Sequence, residues 1–168
     1  MTDTLLKIEN LKIRFKSGKE TVQPIRGVNF SIKRGETLGV VGESGSGKSV
    51  TALSVMGLLP EGTSEIIEGS ITFDGKDLTK LTEKQFQKIR GNDISMIFQE
   101  PMTSLNPVFT IGEQLSEPLI QHKKMSKKEI HDAIINVLKQ VGIPRAEQII
   151  HEYPHQLSGG MRQRVMIS

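Results

Sequence analysis

Apolar and polar residues alternate along residues 5–15, where Leu6 and Ile8 are followed by Leu11, Ile13 and Phe15, the period of half-buried antiparallel strands. Residues 28–32 read as another strand. Residues 37–41 differ, forming a short apolar run that ends at Gly42, as expected of a strand buried on both faces of a parallel sheet. Residues 49–59 then place Val50, Leu53, Ser54 and Gly57 at helical spacing and stop at Pro60. Residues 69–73 form a short strand candidate closed by an Asp74-Gly75 turn. Two later helices are marked by their caps. Thr82 is an N-cap with Gln85 closing a capping box and Leu81 placed to staple against Phe86. Ser126 and Glu129 repeat the device, and Ile130, Ala133, Ile134, Val137, Leu138 and Val141 make one apolar stripe on the helix that follows. Between these helices, residues 94–98 are a strand candidate leading to Gln99, and residues 111–121 a helix interrupted at Pro118. A last helix starts at Ser158, and its apolar run Val165-Met166-Ile167 reaches Ser168 without a C-cap, so the chain is expected to end inside an element.

Composition narrows the function classes. At 168 residues and 36% hydrophobic, the chain suits one domain with a sizeable core. Its 22 basic and 19 acidic residues leave a charge of +3 spread without a long single-sign block, which does not suggest nucleic acid as a partner. The absence of cysteine excludes a disulfide framework and thiolate metal sites, and fits a reducing compartment. Residues 1–10 lack the features of an export signal, and no run of about 18 apolar residues could cross a bilayer, so membrane association is expected to come through a partner. His122, His131, His151 and His155 lack metal-ligand spacing, and Lys123, Lys124, Lys127 and Lys128 read as a solvated helix start. The seven methionines are scattered as packing residues.

Candidate chemistry lies in two glycine-rich segments. Gly42-Glu43-Ser44-Gly45-Ser46-Gly47-Lys48-Ser49 fits G-x-x-x-x-G-K-[ST] and stands between a strand candidate and a helix start. In this motif Gly42, Gly45 and Gly47 let consecutive backbone N–H groups turn inward, so amides from Ser44 to Ser49, with Ser46 among them, cradle a phosphate. Lys48 neutralises the outer phosphates, and the Ser49 hydroxyl holds magnesium, which makes a nucleotide and Mg2+ the expected ligands. The second segment, Leu157-Ser158-Gly159-Gly160-Met161, puts a hydroxyl and two glycine amides at a helix N-terminus, again an anion site. It follows Tyr153-Pro154-His155-Gln156 and precedes Arg162-Gln163-Arg164.

With both segments in this order, 110 residues between Lys48 and Ser158, the chain resembles the nucleotide-binding subunit of an ATP-binding cassette (ABC) transporter. The stretches Gln99-Glu100-Pro101-Met102-Thr103-Ser104-Leu105-Asn106-Pro107 and His151-Glu152-Tyr153-Pro154-His155-Gln156, with Met161 in the signature, are further similar to the oligopeptide, dipeptide and nickel importer subfamily. The resemblance implies an α/β P-loop NTPase fold with N-terminal antiparallel β strands and a helical subdomain, incomplete at its C-terminus. It divides the chain into an ATP-binding core portion at 1–98, a Q-loop and helical subdomain at 99–157, and the start of the signature helix at 158–168. Phe15 lies where the family stacks an aromatic ring on adenine, and Gln99 matches the Q-loop glutamine that approaches magnesium and the attacking water. Leu157, Ser158, Gly159, Gly160 and Met161 match the signature that contacts ATP held by the opposite subunit of a head-to-tail dimer. The implied partners are a second ABC ATPase subunit, two transmembrane permease subunits at the cytoplasmic face of the membrane, and indirectly an extracytoplasmic substrate-binding protein. Peptides are the preferred cargo and nickel the alternative. The family's magnesium-binding aspartate, catalytic glutamate and switch histidine lie beyond the signature and have no counterpart in these 168 residues, so the chain by itself is expected to be hydrolytically inactive. A non-catalytic nucleotide-binding fragment is therefore a further alternative. The strands that flank residues 37–41 in the family also come from beyond the signature, so apolar edges are expected to be exposed.

Overall fold

A computed structural model describes residues 3–18, 20–98 and 105–168, and the chain separates into two compact units, Met1–Arg90 and Gly91–Ser168. The first unit holds a four-stranded antiparallel sheet in the order β2-β1-β3-β4, built from β1 (Thr4–Ser17), β2 (Glu20–Lys33), β3 (Ser64–Phe73) and β4 (Lys76–Asp77). The alternation that predicts β1 shifts phase between Ile8 and Leu11, and the structure shows why. Asn10 takes a left-handed conformation (φ 46°), and the pairing with β2 jumps from Ile8↔Phe30 to Leu11↔Val28, so a bulge lets Ile8, Leu11 and Ile13 all be buried. The Asn29 Oδ1 accepts the Asn10 N–H at 2.7 Å, and a side chain at Gly69 of β3 would strike the Glu9 and Asn10 carbonyls. The hairpin into β4 uses Asp74 and Gly75, both at positive φ, as its turn.

Two α-helices are described in this unit. The first, α1 (Lys48–Val55), is shorter than residues 49–59. Gly57, at φ 61°, ends it in a Schellman motif: the Gly57 N–H reaches Ser54 O at 3.2 Å and the Leu58 N–H reaches Leu53 O at 2.9 Å. Gly57 is thus a terminator, not a member of the helical face. The second, α2 (Glu83–Ile89), begins as expected, with the Thr82 N–H bonded to Gln85 Oε1 at 2.8 Å.

The expected strand at 37–41 does not form. Strand geometry needs ladder partners, and among the described residues no strand lies beside this run; Val40 and Val41 are 56% and 94% exposed. Residues 94–98 likewise form no strand, with Ile97 and Phe98 exposed.

The second unit is helical: α3 (Ile111–His122), α4 (Lys127–Gln140), α5 (Ala146–Ile149) and α6 (Gly159–Ile167). Their core joins Ile111, Ile130, Ile134, Ile135, Leu138, Ile149, Leu157 and Val165. The α4 stripe is as expected except that Ile135 is also buried. Contrary to the expected interruption, α3 runs through Pro118 without a break. Proline removes its own N–H and crowds the carbonyl four residues back, yet the helix is secured at its start, where Thr110 and Glu113 form a third capping box and the Ile111 and Gly112 N–H groups bond the Glu152 and Ile150 carbonyls at 2.9 and 2.8 Å. A side chain at Gly112 would sit 2.8 Å from that Ile150 carbonyl, so only glycine permits the approach.

Candidate phosphate-binding site

The glycine-rich loop is exposed from Gly42 to Ser46 and is pinned at its end. Gly47 is buried, adopts φ 92°, and caps α1; a side chain there would collide with Ile25 Cδ1 of β2 and lie 3.4 Å from the Pro24 carbonyl. Glycine is required on both counts, conformation and space. Thr51 closes the first turn, its N–H and hydroxyl both donating to Gly47 O at 2.9 and 3.0 Å. At the loop's start, a side chain on Gly42 would come within 2.6 Å of Ser46 Oγ, so the two ends of the loop nearly touch. Inside this curl sits the Lys48 ammonium. It donates to Gly42 O at 2.7 Å, Glu43 O at 2.8 Å and Ser46 Oγ at 3.3 Å. A cation held among loop atoms beside the N-terminus of a helix is the charge distribution that attracts an anion of several oxygens. Ser49 lies in the first turn of α1 and is exposed.

Phe15 is half-buried near the end of β1, opposite Ser64 of β3 and Val22 of β2. It follows Ile13 by two positions in a regular stretch of the β1/β3 ladder, so both side chains share one face of the sheet. Ile13 pairs with Ile25, the residue against which Gly47 packs. Phe15 therefore stands on the sheet face that carries the phosphate loop.

The second glycine segment belongs to the helical unit. Leu157 is buried and anchors it, Ser158 is the N-cap of α6, and the Ser158 hydroxyl accepts the Met161 N–H at 3.3 Å. Met161 is half-buried against the helical core. Gly159 and Gly160 are exposed, and a side chain built on either would meet no atom of the described residues within 4 Å. Among those residues their smallness answers no packing need. Sequence reasoning missed the brace of this segment, Arg162, whose guanidinium donates to Leu157 O at 3.0 Å and Pro154 O at 3.2 Å. No local pattern marks such a role, because the acceptors are backbone carbonyls. Gln99 lies outside the described residues.

Among the described residues, no group of three or more histidine, aspartate or glutamate side chains could hold a metal ion. A groove of about 370 Å³ in the helical unit is lined by Ile120, Ile130, Ile134 and Ile150 together with His131 and His151. It includes none of the phosphate-binding candidates.

Comparison with known proteins gives the chain's relatives. The oligopeptide transport ATP-binding protein AppD of Bacillus subtilis is 59% identical over 98% of the chain, and the dipeptide transport ATP-binding protein DppD of the same species is 51% identical over 99%; the chain covers 50% of each. The oligopeptide transport ATP-binding protein OppD of Escherichia coli is 49% identical over 99% of the chain and 49% of its own length. The chain thus spans about half the length of the curated relatives it matches. Among solved structures, the ATP-binding cassette MJ0796, seen as a dimer in a post-hydrolysis state bound to ADP and Pi, superposes with a TM-score of 0.83 at 31% identity, over 97% of this chain and 67% of that one. The ABC transporter family profile matches residues 25–168, from the strand that supports the phosphate loop through the whole of α6, and the chain belongs to that family.

Proposed function

We propose that this chain is the nucleotide-binding part of an ABC importer subunit that couples ATP binding and hydrolysis to peptide uptake across the cytoplasmic membrane. The observation that carries the proposal is the Lys48 ammonium held inside a curled, exposed loop at the start of α1, in a chain that also presents Ser158, Gly159 and Gly160 with open space around both glycines. Amides from Ser44 to Ser49 and Lys48 hold the ATP phosphates, Ser49 and Gln99 serve Mg2+, and Phe15 stacks on the base. The segment from Leu157 to Met161 serves ATP bound to the second ATPase subunit, which explains two glycines that no contact among the described residues requires. Residues 1–98, 99–157 and 158–168 divide these duties as core, Q-loop with helical subdomain, and signature. Two permease subunits hold the assembly at the cytoplasmic face of the membrane, and a binding protein outside delivers the cargo. The names of the relatives, which speak of oligopeptides and dipeptides, favour peptides over nickel.

These 168 residues alone are expected not to hydrolyse ATP, because a loop, a lysine and a hydroxyl bind phosphates without orienting an attacking water. The test is equilibrium binding of ATP to the whole protein, with Lys48→Ala beside it, and uptake of labelled di- and oligopeptides or nickel in cells lacking and regaining the gene. ATP binding lost in Lys48→Ala, with peptide uptake restored by the wild type only, is the expected result. Undiminished ATP binding in that variant, or restored uptake of nickel alone, overturns the reading.

A further inference from the structure

The helix that carries the phosphate loop is gripped at both ends, and the second grip belongs to one side chain. At its N-terminal end α1 rests on β2 through the contact of Gly47 with Ile25. At its C-terminal end, Arg90, the residue that follows α2, donates from Nε to Met56 O at 2.7 Å and from a terminal nitrogen to Gly57 O at 2.8 Å. Its other terminal nitrogen pairs with Glu83 Oε1 at 2.6 Å, and its guanidinium lies 4.8 Å from the centre of the Phe86 ring. Phe86 completes the grip, since its ring fills the space a side chain on Gly57 would need. The arrangement uses the shape of arginine in full: a planar fork for two parallel acceptors, a third donor for a carboxylate, and a flat face for the ring. A cation at this end of a helix also complements its dipole. The helix is only eight residues long, so both grips lie close to the loop.

We infer that Arg90 is a positioning residue for the phosphate site: by holding the Met56 and Gly57 carbonyls it sets where α1 lies, and so where Lys48 and the loop amides stand at its other end. The inference rests on the ATP-binding reading above. About 12 Å of helix separates the two ends, and a helix transmits a displacement along its axis because its hydrogen bonds leave it little freedom to compress. Glu83 serves a different purpose, steadying the guanidinium from the solvent side, and is expected to matter less.

The test is binding of a fluorescent ATP analogue to the whole protein, with adenosine as a competitor that has no phosphates. Arg90→Met is expected to weaken binding of the ATP analogue about tenfold while leaving adenosine competition within about twofold, and Glu83→Gln to leave both within about twofold. Arg90→Lys keeps the charge but cannot fork across both carbonyls, and is expected to fall between them. In Arg90→Ala, added guanidinium ion is expected to recover part of the lost ATP affinity at concentrations that do not change the wild type. Wild-type ATP affinity in folded Arg90→Met and Arg90→Lys overturns the inference. Equal weakening of ATP and adenosine also overturns it, since that marks general loosening. Failure of the wild type itself to bind ATP is the separate failure of the underlying reading.

Discussion

Glycines in this chain do opposite things at two places, and substitution separates them. At Gly47 the backbone is left-handed and Ile25 occupies the space of a side chain, so Gly47→Ala carries both strain and collision. We expect it to destabilise the first unit by about 1–3 kcal/mol, seen as a lowered denaturant midpoint, together with loss of ATP binding. Gly160 sits in the first turn of α6, where an added side chain would meet no described atom within 4 Å. Alanine there removes backbone entropy from the unfolded chain, so Gly160→Ala is expected to leave stability unchanged or raise it by up to about 1 kcal/mol. The same change puts a methyl group on the surface assigned to the second subunit's ATP. Turnover by the assembled transporter is therefore expected to fall by an order of magnitude or more, and a fully active Gly160→Ala transporter would remove the functional reason offered for this glycine. Both motifs were legible in the sequence because their chemistry is local. Arg162 and Arg90 were not, since each acts on carbonyls that share no spacing rule with it.

Helix starts were the most readable elements. The Thr82/Gln85 and Ser126/Glu129 boxes appear where side-chain spacing put them, and Thr110/Glu113 follows the same S/T-x-x-E/Q rule. Helix and strand ends were harder. The stop at Gly57 depends on which residue takes the left-handed turn, and the runs at 37–41 and 94–98 have strand composition without ladder partners among the described residues. Composition can state a preference for extended backbone; pairing is supplied by other segments. The caps also carry a pH dependence. The Thr110 backbone N–H and then its hydroxyl hold the Glu113 carboxyl below its ordinary value of 4.5, and the Ser126 N–H and hydroxyl do the same for Glu129. With the folded pKa below the unfolded one, this stabilisation is fully present above about pH 4.5 and fades as pH falls through the folded values. The expected outcome is a helical-unit melting temperature, followed by circular dichroism, that drops between about pH 5 and 3 less steeply in Glu113→Gln/Glu129→Gln than in the wild type. Equal slopes would mean that the two carboxylates contribute nothing to acid sensitivity.

Across the whole molecule the surface is uneven. Val40, Val41, Ile97 and Phe98 lie exposed in segments that form no strand, in contrast to the paired strands of the antiparallel sheet and the buried helical core. Such apolar runs with unpaired backbone seek partners. These 168 residues on their own are expected to self-associate at micromolar concentration, and Val40→Thr/Val41→Thr to reduce the association, as read by light scattering; a monodisperse wild type with a cooperative melting transition would contradict this. Lys48 has a different bearing on the molecule's working life. Its ammonium already rests on the Gly42 and Glu43 carbonyls, so the loop holds its curl with its own oxygens standing in for those of a guest. Arrival and departure then become a trade of one set of oxygens for another around a charge that is never bare. On the ATP-binding function proposed above, a site built this way would be reloaded without first rebuilding its receptacle.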